Sequence, residues 1–428
     1  MVHTRLTTAQ AAEKLGVKPA TLYSYVSRGL LPRHRTPAGS TFDAQEVARL
    51  ARSARHPGGA TPGSPRRPEP QGNDRFNEPV FVTELTLIEN GRLYYRGLDA
   101  VGLSRSRTFE EVAGWLWTGE WPDPEERWVT PAPAAGAVAA AATPLVTSIL
   151  PIERFMLAVV VAALGDDLRH DLSQASVALV GRHLLSTLVD VLPAVPTGRL
   201  QPGWPDGRSI SERLWPRLSR LAPTAARLQV LEAALVLNAD HELAPSTLGV
   251  RVAAALRADP YAAVMTGLGP ASGSWYSGSS GAPTEVELLL ADAASVDAER
   301  AIGDRLRRTG TTPHGFGMPL YPDGDPRGAE LLARIGEIGG DPDRHAVVER
   351  VLGLAEQRGF PPVNVDLGLG ALAFCAEMVP GAGQAISTLG KVAGWLAHAM
   401  EEYADPTRFR SRAAYVGSRP ESAPAAWS

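Results

Sequence analysis

The sequence predicts a mostly α-helical protein in two modules, a small amino-terminal one and a large helical body. Three observations carry this expectation. Apolar residues recur at helical spacing through 227–239, 247–257 and 382–402, the pattern of helices that bury a face. Charge is split: the first 70 residues hold eleven Lys/Arg against four Asp/Glu, a net of +7, so within an overall −4 the remainder carries −11. Between the modules, a stretch rich in Pro, Gly and Arg builds no core and reads as a flexible, partly extended linker. The boundaries expected are 1–56 for the first module, 57–75 for the linker and 76–428 for the body.

A chain of 428 residues, 44% hydrophobic and 21% charged, has the composition of an ordinary globular protein of two or three domains. Its one cysteine, Cys375, sits in an apolar run and reads as a small core residue. A disulfide within the chain is therefore excluded, which fits a reducing cytoplasm. The amino terminus lacks an apolar core behind a basic start, so no signal peptide is expected. The longest apolar run, 155–165, is about half a membrane span and reads as a buried helix. A cytoplasmic protein with no membrane partner is the expectation.

In the first module, Thr7 or Thr8 can cap a helix whose apolar face is Ala11, Ala12 and Leu15. Gly16-Val17 makes a turn, and Pro19 sits in the first turn of a second helix, where its missing N–H costs nothing. That helix, 20–28, packs on Leu22 and Val26 and stops at Gly29. Two short helices at this spacing suit a helix-turn-helix. A basic hairpin over 30–42 follows, and Asp43 can cap a third helix. The whole resembles the winged helix-turn-helix of MerR-type regulators and excisionase-like modules. The resemblance implies that Arg28, Arg33 and Arg35 contact phosphates and that Thr21, Ser24 and Tyr25 face the groove. A three-helix module used for protein contacts is the alternative.

In the body, Thr312-Pro313-His314-Gly315-Phe316-Gly317-Met318-Pro319-Leu320-Tyr321, followed by Asp325-Pro326-Arg327, resembles the P-G-F-G-H-x-x-Y…D-P-R segment of citrate synthases. Leu93-Tyr94-Tyr95-Arg96-Gly97 is similar to that family's Y-R-G segment, ahead of a helix ending near Gly119. The resemblance implies a two-domain helical fold, with a large part about 76–282 and 385–428 and a small part about 283–384, assembled as a dimer. It also implies an acyl-CoA and a 2-oxo acid as ligands, of the acetyl-CoA plus oxaloacetate class, with no permanently bound cofactor and no metal.

Several ligand positions match. Asn238-Ala239-Asp240-His241-Glu242 resembles the segment whose histidine holds the 2-oxo dicarboxylate, which points to His241. Arg327 matches an arginine that grips a substrate carboxylate, a task suited to a planar, permanently charged fork. Arg410 resembles the arginine of a tail that reaches into the neighbouring subunit's site. Lys391 stands where the family places another arginine, keeping the charge and losing the fork.

The family's chemistry needs a base at the acyl α-carbon, a donor for the enolate oxygen and a donor to polarise the ketone. Asn364-Val365-Asp366 matches its N-V-D, which makes Asp366 the candidate base. Met318 occupies the place of a catalytic histidine, and a thioether neither donates a hydrogen bond nor carries a proton. The second histidine is missing too: aligned from the left, Tyr276 takes its place, and aligned from the right, Ser279 does. Tyr276 is a possible donor; His314 lies four residues ahead of Met318, across a glycine turn that aims it elsewhere.

Two function classes therefore compete. One is a ligand-responsive regulator or pseudoenzyme, a citrate-synthase-like body tethered to a DNA-binding head. The other is an active acyltransferase of citrate or 2-methylcitrate synthase type. It would use an altered substrate, or work as a homodimer or a heteromer with a citrate synthase paralogue.

Overall fold

The computed structural model describes residues 5–15, 17–19, 22, 26, 31, 33–36, 39–44, 47, 81–123, 126–144, 149–196, 209–273, 281–407 and 417. It divides into two compact units, of which the body is Pro79–Phe409. In the head, β1 (Arg5–Thr7) runs into α1 (Thr8–Leu15), and β2 (His34–Thr36) and β3 (Gly39–Asp43) form a hairpin. The sheet is antiparallel in the order β1-β3-β2, with Leu6 opposite Phe42 and His34 opposite Thr41. The hairpin is the expected basic one, whereas β1 is an addition, since three residues are too few to show a strand period.

Thr7 and Gln10 cap α1 reciprocally: Gln10 Oε1 accepts from the Thr7 N–H at 3.0 Å and Thr7 Oγ1 from the Gln10 N–H at 3.4 Å. This is a capping box. Ala11, Leu22, Leu31, Phe42 and Val47 form the head's core. Of the second helix expected over 20–28 only positions 22 and 26 are described, so Thr21, Ser24, Tyr25 and Arg28 lie outside the described residues. Arg33 stands just before β2, and Arg35 lies on it opposite Ser40.

The body opens with an antiparallel sheet of β4 (Thr86–Glu89), β5 (Arg92–Tyr95) and β6 (Leu98–Asp99), turned at Asn90 and Gly91, both with positive φ. Helices follow: α2 (Ala100–Ser106), α3 (Phe109–Thr118), α4 (Ala132–Ala142), α5 (Pro151–Leu164), α6 (Gln174–Asp190), α7 (Ile210–Leu218) and α8 (Ala225–Leu237). Next come α9 (Pro245–Ala255), α10 (Pro260–Ala271), α11 (Ala282–Ser295), α12 (Ala298–Thr309), α13 (Pro326–Arg334), α14 (Pro342–Gln357), α15 (Val365–Cys375) and α16 (Ala382–Ala404).

Local chemistry sets their ends. Thr108 and Glu111 form a capping box at the start of α3, and left-handed Gly119 stops it as expected. Thr224 caps α8 by accepting from the Arg227 N–H, so this helix starts two residues before the apolar repeat. The run 155–165 lies on α5 but is only half buried: Phe155, Ala158, Val159 and Ala162 face the core, while Val160 and Leu164 are exposed. A run of apolar residues does not reveal which side of the helix has neighbours. Among the described residues no helix is long and apolar enough to cross a membrane.

Two helices are buried on every side. All of α15 is interior, Cys375 included, and so is every residue of α16 through Met400. A helix enclosed this way forms the centre of a large core, and it takes Gln384, Ser387, Lys391, His398 and Glu402 inside with it.

Such contact requires missing side chains. The Gly394 N–H donates to the Ala239 carbonyl at 2.8 Å, and a Cβ at 394 would lie 2.3 Å from Asp240 Oδ1 and 2.5 Å from that carbonyl oxygen. On α13, a Cβ at Gly328 would lie 2.3 Å from the Asn364 carbonyl oxygen, just ahead of α15. Glycine is what lets these backbones meet.

Gly394→Ala should therefore cost about 3 kcal/mol, the upper range for overpacking, measured by urea unfolding. Gly136→Ala on α4, where an added methyl meets nothing within 4 Å, should be neutral or slightly stabilising. Equal stability of the two variants would show that the 238–240 turn yields freely.

Candidate active site

Four segments from distant parts of the chain meet, α16 among them. The first follows α8. Its last turn is held by Tyr95 of β5, whose hydroxyl lies within 3.2 Å of the carbonyls of Val236, Leu237 and Asp240. The adjoining Arg96 donates to the Leu116 carbonyl at 2.7 Å. The Tyr-Arg-Gly segment therefore braces the turn that presents Asp240 and His241.

The second segment is 315–321. It is stitched antiparallel to 362–364: the Gly317 N–H donates to the Pro362 carbonyl at 2.7 Å and the Asn364 N–H to the Gly315 carbonyl at 3.0 Å. The Asn364 side chain adds a bond to the Gly317 carbonyl at 2.9 Å and accepts from the Asp366 N–H, capping α15. These backbone and amide bonds place Met318 at the edge of the cluster and Asp366 in the first turn of α15, 2% exposed.

The third is Asp325-Pro326-Arg327 at the start of α13. Asp325 clamps Arg327 with two bonds, to Nε at 3.0 Å and Nη2 at 2.8 Å, and also accepts from the Val365 N–H at 3.1 Å. Arg327 is thus tied to the helix of Asp366, with Nη1 outside the clamp. The fourth segment is α16 itself, which contributes Lys391 and His398.

His241 Nε2 and the Tyr321 hydroxyl are 3.0 Å apart, and the Arg327 guanidinium lies 5.7 Å from the Tyr321 ring centre. Burial, then the charges of Arg327 and Lys391, push the His241 pKa well down, so this ring is neutral at pH 7. Burial raises the Tyr321 phenol to about 12, which keeps it a hydrogen-bond donor. Burial and then Arg327 lower Lys391 to about 8, against the opposing pull of Asp366 and Asp240. Burial alone would lower the Arg327 pKa, but Asp325 outweighs it and holds the charge.

Behind His241 lies a second buried network. His398 Nε2 is 3.2 Å from Asp240 Oδ2 and its Nδ1 is 3.5 Å from Glu401 Oε2. Arg251 binds Glu402 at 2.7 Å, Glu401 at 3.0 Å and the Val82 carbonyl at 2.9 Å. Burial pushes the His398 pKa down, and so does Arg251, but the carboxylates of Asp240 and Glu401 prevail and raise it to about 9. Asp240 also accepts from the Glu242 N–H at 3.1 Å, so this network orients the His241 turn.

The structure brings His241, Arg327, Lys391 and Asp366 into one buried cluster and leaves Met318 half-buried beside it. Tyr276 and Arg410 lie outside the described residues. His314 does not join the cluster: the charged group acting on its half-buried ring is Glu285 of α11. Tyr321, Asp325 and Asp240 were not singled out from the sequence, although each lies inside a motif that was, and His398 lies farther along α16 from Lys391. Chemically the cluster offers two cations and neutral donors for an anionic carbonyl compound, plus a carboxylate able to take a proton.

Comparisons with known proteins match both modules of the chain. A family model described as citrate synthase, C-terminal domain, matches residues 76–412, and a helix-turn-helix domain model matches residues 5–55. Citrate synthase of Haloferax volcanii is 28% identical over 372 residues, 80% of this chain and 95% of that protein. Citrate synthase 2 of Bacillus subtilis is 28% identical over 212 residues, 49% of this chain and 56% of that protein. Among solved structures, citrate synthase from Thermotoga maritima superposes with a TM-score of 0.63 at 21% identity, covering 80% of this chain and 94% of that one. The enzyme from Thermoplasma acidophilum, solved with carboxymethyl coenzyme A and oxaloacetate, gives 0.63 at 19% identity, covering 81% and 96%.

The buried His398 makes stability depend on pH. Its folded pKa, about 9, lies above the ordinary value near 6.5. The stabilisation is therefore complete below about pH 6.5 and is lost as pH rises through 9. Relative to His398→Gln, the wild-type chain should lose about 1.4 kcal/mol per pH unit across that window, read from urea unfolding. A pH-independent difference would mean that the ring is neutral.

Proposed function

The chain belongs to the citrate synthase family, and from that premise we propose that its body binds a 2-oxo acid and an acyl-CoA thioester while condensing them poorly. The bound state would then be read out through a DNA-binding head. The observation that supports this reading is the buried cluster itself: Arg327, Lys391 and His241 share one buried charge environment, suited to gripping an anionic carbonyl compound, whereas the loop beside them offers a thioether at position 318.

Ligand binding and catalysis make different demands here. Holding an oxo acid takes cations and neutral donors already in place, which Arg327, Lys391, Tyr321 and His241 supply. Accelerating a Claisen condensation takes donors aimed at two oxygens as charge develops on them. Asp366 is positioned as a base, but a base alone leaves the enolate unsupported. Its retention favours a second reading, a slow acyltransferase completed by Tyr276 or by a paralogous subunit. In either reading we expect a dimer, with Arg410 reaching the neighbouring pocket and the paired heads facing two half-sites.

Head and body can be tested separately. The full-length chain should bind duplex DNA with an affinity that falls steeply with salt, and removing residues 1–56 should abolish that binding while leaving thioester binding intact. An unchanged DNA affinity in the truncated protein would remove the head from the account.

For the body, the assay is release of coenzyme A from acetyl-CoA in the presence of oxaloacetate. The wild-type chain should be slow, since each missing donor costs about 10²–10³ in rate. Met318→His alone should gain little. Met318→His combined with Tyr276→His should exceed either single change, because donors around one transition state act as a unit. Robust wild-type turnover would instead establish an active synthase.

A further inference from the structure

Lysine is almost absent from this chain. Of its 42 Lys and Arg only Lys14, Lys18 and Lys391 are lysines, so Lys391 is the sole lysine of the whole body. A sequence that otherwise writes its cations as arginine thus puts its one body lysine in the interior of the site, 7% exposed on α16. Charge alone does not explain this choice, since arginine supplies charge with better carboxylate geometry. What lysine adds is an amine that can shed its proton and attack a carbonyl; a guanidinium does neither.

Building on the reading of the cluster as a 2-oxo acid site, we propose that Lys391 captures the acid covalently, its Nζ forming an imine with the 2-oxo carbon. The surroundings are those that make a lysine nucleophilic, an enclosed site with a second cation beside it. Lys391 lies between Gly390 and Gly394, both packed against the 238–240 turn that leads to His241. Arg327 is the second cation, and burial, then Arg327, brings the Lys391 pKa to about 8, so near that pH about half of the amines are unprotonated. Asp366 acts on Lys391 from the start of α15 and can carry a proton to and from Nζ.

The step is balanced within the two reactants. The Nζ lone pair forms a C–N bond to the 2-oxo carbon, and the carbonyl oxygen leaves as water with two hydrogens from the amine. Nothing is oxidised or reduced. With Lys391 committed to the ketone, Arg327 is, among the described residues, the cationic side chain left in the cluster for a carboxylate. One carboxylate then suffices, and the ligand class is a short monocarboxylic 2-oxo acid such as pyruvate.

The test uses the full-length protein with pyruvate and sodium cyanoborohydride, read by intact mass and peptide mapping. The expected result is an increment equal to pyruvate less one oxygen atom, located on Lys391. The trapped fraction should grow by roughly an order of magnitude between about pH 6.5 and about pH 8.5. A Lys14→Arg, Lys18→Arg double variant should trap as the wild type does, and Lys391→Arg should not trap. An adduct confined to Lys14, Lys18 or the amino terminus overturns the proposal. Calorimetry without the reductant separates the two levels of failure: pyruvate or oxaloacetate binding with no adduct on Lys391 overturns imine formation alone. Absence of both binding and adduct overturns the oxo-acid site as well.

Discussion

The contact between α16 and the turn after α8 is the constraint on which the rest of the site depends. At Gly394 the helix backbone comes close enough to donate its N–H to the Ala239 carbonyl at 2.8 Å, and any side chain there would strike Asp240. Because the helix is pressed against the turn, His398 reaches Asp240 and Lys391 comes within electrostatic range of His241. Tyr95 holds the same turn from the other side through three carbonyls. A shift of the helix by the width of one methyl group would separate these groups together.

The two buried networks around that contact differ in kind. Behind the turn, Arg251, His398, Asp240, Glu401 and Glu402 balance one another with short ion pairs, so the desolvation of each is offset by a partner. At the site itself, Arg327 and Lys391 share a neutral histidine, and burial, then the charge of Arg327, lowers the Lys391 pKa. Cations held close in a low-dielectric interior favour an entering anion, because its carboxylate relieves a repulsion that the fold already contains. The rigid network supports the turn, and the strained one defines what the site will accept.

In the proposed reading, the loop carrying Met318 keeps its shape without the side chain that condensation would need. Its geometry depends on backbone bonds from Gly315 and Gly317 to the 362–364 strand and on the Asn364 amide. None of these bonds uses the side chain at 318, so a thioether there leaves Asp366 and Arg327 in place. A thioether at this position therefore costs the loop none of these bonds, and in the proposed reading it withholds a hydrogen-bond donor. Lys391 differs in that its side chain is enclosed on all sides. Replacing guanidinium by amine there changes both the charge geometry and the kinds of bond the site can form.

Much of this was readable from the amino-acid sequence, because local rules write themselves into short segments. Helical periodicity, the stop at Gly119 and the basic head hairpin all act within a few residues. The resemblance to citrate synthase motifs named Asp366, His241, Arg327 and Lys391 as candidate site residues, and the absence of a histidine at 318 was plain. The tertiary structure alone decided which of these groups share a charge environment. That Asp325 also holds the Val365 N–H, that Tyr321 meets His241, and that His398 is held charged while His241 is held neutral follow from approaches between segments up to 158 residues apart. Spacing along a chain carries no information about those approaches. They are set by which backbones can come into contact, and here glycines at 328 and 394 set that limit.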